Sequence, residues 1–261
     1  KFFEKTVSAI LTRFKLFKFE DVYKAGAFML LDEQIKDENL KEKLIPDYPI
    51  GCKRIIPTND YYPAICRDNV HLEISLIDKI VDNKIITKDG NYHEVDAIIF
   101  GTGFEANIFI SPVKIIGLDG QELDDVWSKG AEAYRGVMVP NFPNFYICYG
   151  PNTNTGHVSI IYMIESQIMY IMKCLGFMKS NRLNYLDVKN SAMKSYNEKL
   201  QKKLSETVWA SNCGSWYKTK EGKIINNYPG YGTEYYFMMS RPDYNELKTC
   251  LLYTSDAADE W

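Results

Sequence analysis

The chain has 261 residues, of which 46% are hydrophobic and 25% charged, and its formal net charge is −3. This near-neutral balance excludes general nucleic-acid binding, which needs a basic face, and no apolar run approaches the roughly 20 residues of a membrane span. The six cysteines include no C-x-x-C pair, and only three histidines accompany them. We therefore predict no metal site, and reduced thiols in a cytoplasmic protein; the oligomeric state stays open.

Residues 1–45 are predicted to be helical, because apolar residues recur at three- and four-residue steps from Phe3 to Phe17. Pro46 and Pro49 then stop helix formation and begin an extended, turn-rich passage.

Short strands are predicted between residues 68 and 150, where β-branched and aromatic residues alternate with turn residues. They are 69–74, 79–81, 85–87, 95–100, 137–139 and 144–149. Segment 95–100 is mostly apolar without a break, which is typical of a central parallel strand that is buried on both faces.

Two long helices follow the strands. The first, over residues 158–175, is apolar nearly all round, which indicates burial. The second, over 187–208, carries a single apolar stripe and is predicted to be amphipathic. Residues 211–232 are predicted to be a loop, and 251–261 a frayed or non-native tail.

A glycine turn, Gly101-Thr102-Gly103, follows the predicted apolar strand. It formally fits G-x-G-x-x-G/A, but that fingerprint needs a helix next, and the following residues run into Pro112. We therefore predict a tight turn at the carboxyl end of a buried strand, which is where α/β folds bind ligands. A plain turn is the alternative.

A second glycine-bounded stretch, 150–157, precedes the first long helix. Gly156 lets a ligand approach the backbone closely, and the free N–H groups of the helix start would stabilise partial negative charge. A capped helix after a polar loop is the alternative. His157 taken alone is predicted to be a hydrogen-bonded structural histidine.

Two adjacent cations, Lys53 and Arg54, lie between Pro49 and Pro57 among apolar and aromatic residues. An arginine fork can hold an anion in a bidentate manner and stays charged at any working pH, while a lysine is a compact donor to phosphate or ribose hydroxyls. We interpret the pair as an anion site; a solvated surface pair is the alternative.

An aromatic pair that includes Trp216 lies in the small-residue loop 212–217. We predict that Trp216 forms a mobile lid over a cofactor amide. Simple surface packing is the alternative.

Taken in order, these segments resemble the C-terminal half of a Baeyer–Villiger-type flavin monooxygenase, within the flavin-containing monooxygenase superfamily. The matching stretches cover about residues 45–245. They are 48–54, 59–62, 96–104, 141–144, 150–157, 215–217 and 229–230. Each is weak alone, but the ordered set is specific. The resemblance implies an α/β fold, namely a partial Rossmann-like FAD/NAD(P)-binding fold with β-strands 68–150 and C-terminal helices, whose N-terminal half is missing.

The family that the chain resembles reduces FAD with NADPH, forms a flavin C4a-peroxide with O2 and inserts one oxygen atom into a ketone. Other members of the superfamily oxygenate the nitrogen of an amine or the sulfur of a sulfide. The non-catalytic alternative is an interaction module that uses its aromatic surface for protein contacts.

The resemblance also implies roles for the candidate residues. Arg54 would support the peroxide and the nicotinamide, and Lys53 would lie near the NADP ribose. Trp216 would belong to the mobile cofactor loop. The Gly101-Thr102-Gly103 turn would join the FAD and NADP domains, and Gly156-His157 would lie at the flavin end.

Domain boundaries are implied as well: 1–50 as a helical segment and linker from the NADP-domain side, 51–250 as the C-terminal part of the FAD/NADP-binding region, and 251–261 as the tail. Both dinucleotide fingerprints of the family and its F-x-G-x-x-x-H-x-x-x-W/P signature are absent from this sequence. We therefore expect the chain alone to hold FAD weakly and to be inactive.

Overall fold

The computed structural model describes residues 19–103, 105–110, 112–156 and 158–251. The predicted helical segment before residue 19, the candidate His157 and the tail beyond residue 251 lie outside these described residues.

The chain forms two compact units. One consists of the described residues of Lys1–Gly51 and Ile55–Phe104, and the other of Cys52–Arg54 with the described residues of Glu105–Trp261. The domain boundaries implied by the family resemblance stay a prediction.

Three helices occupy the first unit. They are α1 (Phe19–Gln34), α2 (Glu38–Leu44) and α3 (Tyr61–Ile65). Asp37 caps α2, since its carboxylate accepts hydrogen bonds from the N–H groups of Asn39 and Leu40 at 2.9 and 3.3 Å. The predicted helical character up to residue 45 is confirmed over α1 and α2, which residues 35–37 separate, and Pro46 follows the end of α2.

An antiparallel meander completes the first unit. Its strands are β1 (Ile77–Val81), β2 (Lys84–Thr87) and β3 (Tyr92–Glu94), in the order β1-β2-β3. Asp82 takes a φ of 53° in the turn between β1 and β2, a conformation that aspartate adopts in tight hairpins. The predicted strands at 79–81 and 85–87 are thus confirmed.

The predicted central strand at 95–100 is not a strand in the structure. Ile99 is 95% exposed and Phe100 is 72% exposed. A strand forms only where a neighbour supplies hydrogen-bond partners, and none of the described strands pairs with this segment. The apolar pattern predicts burial in a complete sheet, but it does not reveal whether the rest of that sheet is in the same chain.

Three other predicted strands are also wrong. They are 69–74, 137–139 and 144–149. In the last two regions the backbone turns repeatedly, because Arg135, Asn141, Asn144 and Tyr149 all have positive φ. Such residues interrupt an extended strand even where the side chains suit one.

Helices and a two-stranded sheet make up the second unit. The elements are α4 (Leu123–Val126), α5 (Ile160–Ser180), β4 (Leu183–Val188), α6 (Asn190–Ser205), α7 (Gly232–Met239) and β5 (Leu247–Leu251). β4 and β5 pair in antiparallel fashion, with Val188 opposite Leu247. The predicted helix over 187–208 is therefore corrected at its start, because Asp187 and Val188 belong to β4.

One face of α5 packs into the core, where Met163, Tyr170 and Cys174 are buried. The prediction of all-round burial is wrong, since Ile161 is 68% and Met172 61% exposed. Within the described residues α5 is also the one helix that is long and apolar enough to cross a membrane, a test that core helices of soluble proteins pass as well.

Two glycines of the second unit are expected to respond oppositely to alanine. In Gly150→Ala the new Cβ would meet the backbone oxygen of Gly136, so we expect a loss of about 1–3 kcal/mol in the free energy of unfolding. In Gly176→Ala, within α5, the Cβ would meet nothing within 4 Å, and better helix propensity should add about 0.5–1 kcal/mol. Urea denaturation of both variants measures the two changes, and equal effects would contradict the close approach at Gly150.

Candidate functional site

The two segments predicted to carry the cations and the aromatic lid are joined by a disulfide. It links Cys52 to Cys213, whose Cα atoms lie 6.6 Å apart. Cys52 is fully buried, and the Ser211 hydroxyl donates to its sulfur at 3.2 Å. The prediction of reduced thiols is therefore wrong for this pair, because spacing along the chain cannot reveal partners that lie 161 residues apart.

Lys53 and Arg54 directly follow Cys52, and both are exposed. The positive charge of Arg54 affects the pKa of two tyrosine hydroxyls, those of Tyr149 and Tyr217. Burial raises the pKa of Tyr149 and that of Tyr217, and the Arg54 charge offsets part of each rise. Both phenols are therefore protonated at neutral pH and can donate hydrogen bonds. The second unit thus brings Arg54 close to the lid loop and to the entrance of the loop 150–156.

The lid residue Trp216 is 39% exposed and leans against the buried ring of Tyr217, with the ring centroids 4.5 Å apart. The Trp209 ring meets Tyr217 edge-on at 6.1 Å. The Asn226 amide donates to the Trp216 carbonyl oxygen at 2.8 Å. The ring contact with Tyr217 and the hydrogen bond from Asn226 fix the lid loop on its inner side. The Trp216 indole stays partly exposed on the other side.

Asparagines hold the loop 150–156 in place. The Asn154 amide donates to Asn227 Oδ1 at 2.7 Å, and the Tyr149 hydroxyl donates to Asn154 Oδ1 at 3.1 Å. The Asn152 amide donates to the carbonyl oxygens of Ile224 and Asn227 at 2.9 and 3.0 Å. The sequence motifs pointed to the glycines of this loop and not to these asparagines. The run of small polar residues over 152–155 is the signal that could have found the asparagines of this loop.

The far end of this loop meets the start of α5. Gly156 is exposed, and a Cβ added there would meet nothing within 4 Å. Ser159, at the N-cap position, makes no side-chain capping bond. Backbone N–H groups at this end can therefore serve a ligand, as predicted for partial negative charge.

Gly101, Thr102 and Gly103 belong to the other compact unit. All three are exposed, and Gly103 has a φ of 84° with open space around its Cα. Their proposed cofactor role rests on the motif.

Two buried polar atoms beside the loop 150–156 have no hydrogen-bond partner: Asn152 Oδ1 and Asn227 Nδ2. A buried group in this condition costs about 1–3 kcal/mol. A ligand that carries both a donor and an acceptor would satisfy the two together, as the pyrimidine edge of a flavin does. The residues present therefore fit the flavin end of FAD. Among the described residues, no three His, Cys, Asp or Glu side chains are grouped to hold a metal.

The Cys52–Cys213 disulfide leads to a prediction about which cysteines can be labelled. In the unfolded, unreduced protein, iodoacetamide should label the four free cysteines, Cys66, Cys148, Cys174 and Cys250, and spare Cys52 and Cys213. In the native protein Cys174 should also react slowly, because burial raises the pKa of its thiol to about 11 and little thiolate is present. Mass spectrometry before and after reduction checks both statements. Labelling of Cys52 without reductant would contradict the disulfide.

No family model matches the chain. Relatives with curated sequences do match it. A Baeyer–Villiger monooxygenase of Pseudomonas aeruginosa is 45% identical over 203 residues, which is 77% of this chain and 38% of that protein. The FAD-binding monooxygenase ktnD of Aspergillus niger is 39% identical over 205 residues, 76% of this chain and 34% of that protein. The chain thus spans well under half the length of these relatives.

Solved structures agree with the sequence relatives. The crystal structure of OTEMO in complex with FAD and NADP matches with a TM-score of 0.78 and 26% identity, covering 88% of this chain and 44% of that one. A steroid monooxygenase bound to NADP matches with a TM-score of 0.78 and 22% identity, covering 89% and 46%, which supports the fold alone. The predicted α/β class and its partial character are confirmed. The chain is therefore homologous to part of the Baeyer–Villiger monooxygenases, as its ordered motifs predicted.

Proposed function

We propose that this chain is the C-terminal part of an FAD- and NADPH-dependent monooxygenase that inserts one oxygen atom of O2 into a ketone. The observation that carries the proposal is the cluster in the second unit. There the disulfide ties Arg54 to the lid loop of Trp216, and the Arg54 charge acts on Tyr149 at the entrance of the loop 150–156. The 45% identity to a Baeyer–Villiger monooxygenase supports the same assignment.

The loop 150–156 and the start of α5 would hold the pyrimidine edge of the flavin, which becomes anionic on reduction. Backbone N–H groups at the helix start favour negative charge there. When bound, the reduced flavin supplies the electrons that activate O2. Asn152 and Asn227 would give their unpartnered atoms to a ligand at this end.

Arg54 would stabilise the negative charge that develops during oxygen transfer. A fixed cation in a site that excludes water is worth far more than the same charge in solution. Lys53 would serve the NADP ribose as a compact donor. Trp216 would cover the nicotinamide amide and keep water out, which is the usual contribution of a closing loop.

The remaining candidates have supporting roles in this proposal. The Gly101-Thr102-Gly103 turn would join the FAD and NADP domains, and His157 would help to shape the flavin end of the loop. The sequence shows no dinucleotide fingerprint, so the FAD pyrophosphate would be held by residues outside this chain. We therefore propose that the chain alone is inactive. We also propose, because four cysteines stay free, that the complete protein works in the cytoplasm.

The test is a full-length protein that carries this chain as its C-terminal part. We expect it to purify with bound FAD and to oxidise NADPH in step with O2 and a ketone, giving an ester or lactone. Product analysis on a ketone, an amine and a sulfide in parallel assigns the substrate class. Oxygenation of the amine or sulfide alone would identify a heteroatom monooxygenase, and a full-length protein without flavin would favour the non-catalytic interaction module.

A further inference from the structure

Asn226 bonds through its backbone to both walls of the proposed site. Its N–H donates to the carbonyl oxygen of Tyr217 at 3.4 Å, and its own carbonyl oxygen accepts a hydrogen bond from the N–H of Asn154 at 2.9 Å. Tyr217 belongs to the lid loop, 212–217, and Asn154 belongs to the loop 150–156. One residue therefore connects the segment proposed to cover the nicotinamide with the segment proposed to hold the flavin.

The side-chain amide of Asn226 holds the lid loop at a second point. Asn226 is 7% exposed, and its Nδ2 atom donates to the carbonyl oxygen of Trp216 at 2.8 Å and to Asn107 Oδ1 at 3.1 Å. An amide nitrogen carries two hydrogens, so both are used. Asn107 Nδ2 in turn donates to the carbonyl oxygen of Lys218 at 3.1 Å. The carbonyl groups on either side of Tyr217 are thus held by two amide side chains that also bond to each other.

The hold on Trp216 differs from the hold on Tyr217. The Tyr217 carbonyl oxygen accepts from two backbone N–H groups, those of Ile225 and Asn226, and the Tyr217 side chain is buried. The Trp216 carbonyl oxygen accepts from a side chain, and the indole is partly exposed. Loss of the Asn226 amide therefore frees the peptide group of Trp216, while Tyr217 stays bound to the backbone.

We propose that Asn226 is a positioning residue, whose amide sets the place of Trp216 relative to the loop 150–156 so that the lid is already arranged to receive NADP. The inference rests on the proposed function, which places Trp216 over the nicotinamide. Asn226 itself need not touch the cofactor. When only a fraction of the molecules holds the lid in the receptive position, the apparent affinity for NADP falls by that fraction.

The experiment compares Asn226→Ala with a matched control, Asn197→Ala, in the full-length protein. Asn197 lies on α6, is 4% exposed, and its amide likewise donates to a backbone carbonyl oxygen, that of Met193, at 3.2 Å. Both substitutions remove a buried amide, so we expect both to lower Tm. Only Asn226→Ala should raise the Kd for NADP+ and speed hydrogen exchange of the peptide 211–219, each by about tenfold, the usual equivalent of one lost hydrogen bond. The FAD content should stay at the wild-type level in both variants.

Asn107→Ala gives a second measurement that does not depend on the folding of Asn226→Ala. Asn107 is exposed, so its truncation leaves the core intact and should change Tm little. It removes the bond to the Lys218 carbonyl oxygen and the acceptor that orients the Asn226 amide. We expect faster exchange of the peptide 211–219 and weaker binding of NADP+, each by about threefold.

Wild-type lid exchange and NADP+ affinity in Asn226→Ala, or in Asn107→Ala, would overturn the inference. Faster exchange with unchanged NADP+ affinity would do the same, because the position of the lid would then not govern binding. Equal changes in Asn226→Ala and Asn197→Ala would reveal a general loss of stability and also overturn it. A wild-type protein that binds no NADP+ and oxygenates no substrate would instead refute the proposed function. The exchange comparison, which needs neither cofactor nor substrate, would still test the hold of Asn226 on the lid loop.

Discussion

Arg54→Ala in the full-length protein is expected to lower kcat for ketone oxygenation by about 100-fold or more, while FAD remains bound. Removal of one preorganised electrostatic group from a catalytic site typically costs this much. The flavin should stay in place, because the residues proposed to hold its pyrimidine edge lie in the loop 150–156 and at the start of α5. Product formation at saturating NADPH and the flavin absorbance of the purified variant measure the two effects.

Two controls make this result specific. Arg54→Lys keeps the charge but loses the planar fork, so it should recover only part of the activity. Arg67→Ala removes another exposed arginine, in the first unit, and should behave as the wild type. Unchanged product formation in Arg54→Ala would remove Arg54 from its proposed role and leave the fold assignment intact.

Tyr170→Ala is expected to cause the largest loss of stability among the substitutions considered. Tyr170 is fully buried on α5, its hydroxyl lies 3.8 Å from the Met138 sulfur, and the Arg135 guanidinium lies 5.5 Å from its ring centroid. Truncation of a buried aromatic residue lowers the free energy of unfolding by about 3–5 kcal/mol, because contacts are lost and a cavity remains.

Met172→Ala is the matched control on the same helix. Met172 lies two residues further along α5 and is 61% exposed, so the change should stay within about 0.5 kcal/mol. Urea denaturation followed by circular dichroism measures both variants. Similar losses in the two would show that the exposed face of α5 is covered in solution.

Local patterns were reliable where neighbouring residues decide the structure. Pro46 and Pro49 marked the end of the helical segment, and α2 does end at Leu44. The apolar stripe of the second long helix was also correct, since Ala192, Leu200 and Leu204 are buried on α6. Proline geometry and helical periodicity act over a few residues, so a single sequence is enough to detect them.

Such local patterns do not detect partners that lie far apart in the sequence. β4 and β5 were missed, because they pair across about sixty residues and neither has a strong alternation of its own. Segment 95–100 carries the composition of a buried strand, yet none of the described strands pairs with it. Strand pairing depends on which segments come together in the folded chain. The composition of a segment shows only whether it is suited to be a strand.

By itself, the sequence determined the resemblance to Baeyer–Villiger monooxygenases, because seven short motifs occur in the right order, and it pointed to the candidate cations and glycines. Only the tertiary structure decided how the second unit arranges them: the Cys52–Cys213 link, the bond from Asn226 to the Trp216 carbonyl oxygen and the Asn154–Asn227 bond behind the loop 150–156. The reason is physical. A motif is a property of adjacent residues, whereas a binding site is made by side chains that only the folded backbone brings together.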